Sequence, residues 1–229
     1  ERQERYQNFA PSLIAGGWAV TYSTGYAMHG ITAARVVESP VAGTAILLAI
    51  SAAMILHALR YKSETATGLA FLFAFASLNV TALTTFSVVA TAVLAASLLY
   101  LAFRFGWMRL AVAGTALTYL TFVLRYDVSI YGRAGLVNGQ ATLWIYWLLF
   151  EGFDLLDIWR NGPRAGMQRS IFLLNLAGFA GAAMLHHWNV SSTEAARFFA
   201  FAAMAYLTSS FVRAWLVRTT ELRDEAVWR

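Results

Sequence analysis

Three carboxylates interrupt one of the most apolar stretches of the chain, FEGFDLLDIW over residues 150–159: Glu151, Asp154 and Asp157. On a helix that turns about 100° per residue, spacings of three set successive side chains on one slowly drifting face. At depth in a membrane an ionised carboxylate costs roughly 2.5–3.5 kcal/mol on insertion scales unless it faces protein or water. Two kinds of chemistry fit such a face. It can line a proton or cation path, with Glu151 as the deepest member. It can instead anchor the helix by docking: Asp157 pairs with Arg160 at i+3, and the other two meet arginines on neighbouring helices or on a partner subunit. No basic or polar partner at matching depth stands out along the chain, which favours docking.

The histidines raise a second kind of chemistry. A membrane haem held by two histidines needs both at similar depth on different helices. His29 with His186 or His187 meets that condition and His29 with His57 does not, so His29, His186 and His187 are the candidate haem or pigment ligands. Around His29 the residues Gly17, Thr21 and Gly25 form an i, i+4 stripe of small or polar side chains. Such a stripe lets a second helix approach closely, and a hydrogen-bonded histidine in a tight helix interface accounts for the same pattern more simply. Ala177-x-x-x-Gly181 and Gly178-x-x-x-Ala182 repeat the small-residue spacing and are read as packing. The absence of cysteine excludes disulfides, thiolate metal sites and thiol catalysis. No phosphate-binding glycine loop, zinc spacing or nucleophile elbow occurs, so no catalytic residue and no metal site is assigned, and a non-enzyme is favoured.

These residues must be positioned by elements suited to lipid. Of the 229 residues 59% are hydrophobic and 13% are charged, against roughly a quarter charged in soluble domains. The net charge of +5 is scattered singly between apolar runs rather than gathered in a patch, which excludes a nucleic-acid partner. Apolar segments near 10–34, 41–59, 65–79, 84–103, 107–124, 139–159, 170–187 and 195–217 predict an all-α polytopic membrane protein. The uncharged run 65–103 would be about 58 Å long as one helix, nearly twice a hydrocarbon core of about 30 Å. It must therefore fold back, at NVTALTT over 79–85.

Charge bias tests the count independently. Eight spans place 13 basic residues on one side and 4 on the other, whereas seven spans give about 10 against 7. The expectation is a single transmembrane helical domain over 1–229 with both termini cytoplasmic. Tyr61, Trp107, Trp159 and Trp215 mark one interface, and Tyr126, Tyr131 and Trp188 the other. Pro11, Pro40 and Pro163 avoid mid-depth positions, so the broken helices of many transporters are not expected. The segment 125–140, with three glycines, predicts a turn-rich cap.

SLIAGGWAVTYSTGYAMHG over 12–30, followed by ALRYKSETATGLAFLFAF over 58–75, resembles the domain of unknown function 2339 family of bacterial multi-pass membrane proteins. The likeness lies in the paired glycines before a tyrosine-containing helix and in an Arg-Tyr-x-Ser loop opening a Gly/Ala-rich span. It covers roughly residues 10–105. The resemblance implies a bacterial cytoplasmic (inner) membrane protein, and a chain that is a fragment or shortened relative of a longer one. It carries no reaction and no catalytic residue.

The expected function is a non-enzymatic membrane subunit that packs against other membrane proteins and lipid through small-residue faces and the acidic edge of the sixth span. The alternative is a proton- or cation-coupled transporter using Glu151, Asp154 and Asp157. A third reading is an envelope-lipid enzyme using groups near His186 and His187.

Overall fold

The computed structural model describes residues 17–80, 85–125, 128–162, 167–188 and 191–227. They form eight α-helices and one 3-10 turn, with no strand among the described residues. The order is α1 (17–30), the turn Thr32–Ala34, α2 (Pro40–Arg60), α3 (Glu64–Val80), α4 (Thr85–Phe105), α5 (Met108–Arg125), α6 (Val128–Asn161), α7 (Met167–His186) and α8 (Ser192–Val227). Each helix falls on one of the expected apolar segments; residues 10–16 of the first lie outside the described residues. The run 65–103 is two helices, α3 and α4.

Among the described residues three helices are long and apolar enough to cross a membrane, through Val41–Arg60, Val88–Phe105 and Ser192–Thr220, and Ser170–His186 is a shorter apolar stretch. Along α8 the side chains Phe201, Met204, Leu207, Phe211 and Trp215 are all exposed. Large apolar groups turned outward at helical spacing suit a lipid solvent.

The helix ends follow local chemistry. Ser39 caps α2 by accepting from the Ala42 N–H at 3.3 Å, with Pro40 in the first turn. Ser63 and Ser191 do the same for α3 and α8. Gly106, at φ +73°, ends α4 while the Trp107 N–H reaches back to the Ala102 carbonyl at 2.9 Å. This is a left-handed closure that glycine enters without a Cβ clash.

The turn-rich cap expected over 125–140 is not formed: α6 already begins at Val128 and runs 34 residues. Glycines in that segment cost about 1 kcal/mol each in a helix, but no proline breaks the hydrogen-bond ladder, and they are absorbed.

The chain divides into two compact units, 1–94 and 95–229, with the boundary inside α4. In the first, α2 packs on α3 around the fully buried Leu47, Phe71 and Leu78. Helix α1 joins them through Tyr22, whose hydroxyl meets the Ser77 Oγ at 2.8 Å. In the second, α7 packs on α5 and α6, and α8 packs on α6. Phe150, Phe179 and Ile171 fill its interior.

Candidate functional site

The second unit turns the acidic face of α6 inward. Glu151 and Asp154 are 3% and 1% exposed, one helical turn apart on the face that meets α7 and α8. From α8, Tyr206, Ser209 and Arg213 project at i, i+3 and i+7, which is one face of a helix. From α7 comes Asn175, and from α5 comes Tyr119. An unpaired charge or a bare amide is costly at this burial, and most of these polar groups find a counterpart.

Arg213 is the centre of the arrangement. Its Nη2 donates to Glu151 Oε1 at 2.5 Å, and its Nη1 donates to Asp154 Oδ2. The guanidinium carbon, Cζ, lies over the Phe172 ring, 4.3 Å from its centroid. Ser209 Oγ also donates to Glu151 Oε1, and Asn175 Nδ2 donates to Glu151 Oε2 at 3.2 Å. Behind Asn175 the Tyr119 hydroxyl donates to its Oδ1 at 2.7 Å, and the Tyr206 hydroxyl reaches its backbone carbonyl at 3.4 Å. Charge-assisted, forked contacts of this type are the strong class of hydrogen bond.

Two features of the network bear on chemistry. Two carboxylates face one guanidinium, so one negative charge is uncompensated when all three are ionised. In addition, Asp154 Oδ1 is buried and accepts no hydrogen bond among the described residues. An open recess of about 420 Å³ lies against Glu151 and Ser209, bordered by Trp147, Leu148, Leu155 and Val212.

Asp157 stands apart from this cluster. It is 3% exposed and accepts from Asn161 Nδ2 at 2.5 Å. Arg160, its expected i+3 partner, lies instead over the Phe103 ring at 4.8 Å. The partners that the sequence reading did not find at matching depth are Arg213, Ser209, Asn175 and Tyr119. The available signal was polar residues at helical spacing, Tyr206, Ser209 and Arg213, inside the last apolar segment.

The histidines lie in separate settings. His29, in the first unit, is buried against Gly43, where an added Cβ would overlap the imidazole ring. His57 is flanked by the Trp18 and Tyr61 rings at 5.8 and 5.2 Å. In the second unit His187 has both ring nitrogens engaged, Nδ1 with the Ala183 carbonyl at 2.8 Å and Nε2 with the Gln140 amide at 2.9 Å. His186 packs edge-on against Phe122 and closes over Gly139. Among the described residues no group of three His, Asp or Glu side chains is disposed to hold a metal.

Of the packing glycines, Gly25 admits the α2 side chains so closely that a Cβ there would stand 2.7 Å from Ile50 Cδ1. Gly178 lies under the Tyr119 ring with no room for a Cβ. At Gly17 and Gly181 an added Cβ would enter open space, with no packed neighbour within 4 Å.

In comparisons with known proteins, no protein family, curated protein or solved structure matches the chain.

Proposed function

We propose that the chain is a polytopic protein of the bacterial cytoplasmic membrane, spanning it eight times with both termini cytoplasmic, and that it couples proton movement to transport through the Glu151–Arg213–Asp154 cluster. The supporting observation is the uncompensated negative charge together with the bare, buried Asp154 Oδ1. A proton on that oxygen balances the cluster, and its removal exposes the imbalance. A low-dielectric site in which one proton decides the net charge is a natural proton-exchange station. A metal cation is the poorer occupant, because both Glu151 oxygens are already taken.

The test is proton flux into proteoliposomes under an imposed potassium diffusion potential, read with an entrapped pH dye. Wild-type protein is expected to exceed empty vesicles, and D154N to fall at least tenfold while remaining monodisperse. Flux in D154N equal to wild type, or no wild-type flux at all, would sink the proposal.

A second reading, a non-enzymatic subunit of a larger membrane complex, is favoured by one observation. Ala177 and Gly181 of α7 are exposed, and a Cβ added at Gly181 would meet no packed neighbour within 4 Å, so a small-residue face is open to a further helix. The native mass of particles purified from their own membranes in mild detergent decides it: other polypeptides in fixed ratio support it, and a lone chain removes it.

A further inference from the structure

On an adjoining face of α8, between it and α7, lies a second cleft of about 610 Å³, lined by Phe172, Ser210, Arg213, Ala214, Val217 and Arg218. Its chemistry is divided. Phe172, Ala214 and Val217 make an apolar wall, and two guanidinium groups stand five residues apart, about 7.5 Å along the helix axis. Arg218 is exposed, and among the described residues no carboxylate pairs with it. Arg213 spends one N–H of each Nη on Glu151 and Asp154, which leaves two of its five donors on those nitrogens. Its side chain is 21% exposed.

Depth decides what such a cleft can hold. The apolar segment of α8 ends at Val217, ahead of the charged run RTTELRDE over 218–225, so Arg218 lies just past that end and Arg213 about 6 Å within it. A cation at the headgroup level above an apolar wall matches an anionic amphiphile whose charge stays at the interface and whose chain runs inward. Basic pockets between membrane helices bind acidic lipid headgroups on this principle.

We propose that this cleft seats an anionic phospholipid, its phosphate on Arg218 and the spare Arg213 N–H groups, and its first acyl carbons along Phe172, Ala214 and Val217. A lipid here would sit beside the guanidinium that holds Glu151 and Asp154. The proposal does not rest on proton coupling and stands if no flux is found.

The experiment is the thermal midpoint of the full chain in mild detergent, titrated with phosphatidylglycerol, with phosphatidylcholine of the same chains, and with inorganic phosphate. Phosphatidylglycerol is expected to raise the midpoint saturably, and the other two to leave it within error. R218Q should weaken the apparent affinity for phosphatidylglycerol about fivefold, the factor that one basic residue supplies at an anionic lipid surface. A214L, which fills the cleft and leaves both charges in place, should abolish the saturable shift. Equal shifts with the two lipids, or an unchanged affinity in R218Q, would overturn the proposal. A full shift with phosphate alone would also overturn it, in favour of a free-anion site.

Discussion

At the scale of single residues, Arg213 is the group whose loss is felt most. Removing it leaves two buried carboxylates without a counter-charge, a change that costs roughly 3–5 kcal/mol when one partner of a buried pair is deleted. Because the Arg213 side chain is a fifth exposed, R213A is expected near the lower end, as a fall in the midpoint of unfolding by sodium dodecyl sulfate in mixed micelles. Neutralising the acids in the same chain, as R213A/E151Q/D154N, should recover most of that loss. No recovery would mean that the contact of the Arg213 cation with the Phe172 ring, and not the charge pairing, holds α8 in place. R213K keeps the charge but not the forked geometry and should fall between the two. Half of this site was legible in the sequence. Glu151 and Asp154 announce themselves as charges in an apolar run, whereas Arg213 near the end of the last span reads equally well as a loop-facing anchor. What the pattern lacks is the relative rotation of α6 and α8, fixed by packing between residues about sixty positions apart.

At the scale of elements, glycines three residues apart have opposite roles. Gly178 lets α7 close on α5 by lying beneath Tyr119, and Tyr119 in turn orients Asn175 towards Glu151. G178V therefore forces overpacking, at about 1–3 kcal/mol, and should lower stability. G181V points into open space and should stay within about 0.5 kcal/mol of wild type. Thermal midpoints of the two purified variants check the contrast, and equal effects would contradict the packing described for α5 and α7. Helix positions were readable from apolar length, and the break between α3 and α4 from the impossibility of one 39-residue span. The start of α6 was not. Three glycines between 125 and 140 look like a turn, yet helix continuity is set by the ladder and its neighbours more than by propensity.

At the scale of the whole molecule, the topology can be tested with unusual economy because the chain contains no cysteine. A single thiol placed at Lys62 or at Arg160 is the only label site in its variant. If 65–103 crosses the membrane twice, the two positions are labelled from the same side; if it crosses once, they are labelled from opposite sides. Impermeant maleimide on sealed, oriented vesicles reads the difference, and opposite-side labelling would reject the eight-span arrangement.

The ion pairs joining α6 to α8 also impose an order on synthesis. Glu151 leaves the ribosome 62 residues ahead of Arg213, an interval on the order of 3–12 s at about 5–20 residues per second. Throughout it, α6 carries two acids without the guanidinium that receives them in the folded chain, and its packing is provisional. The pairing is complete only once α8 has been made, so α6 and α8 reach their final packing as a joint event instead of helix by helix.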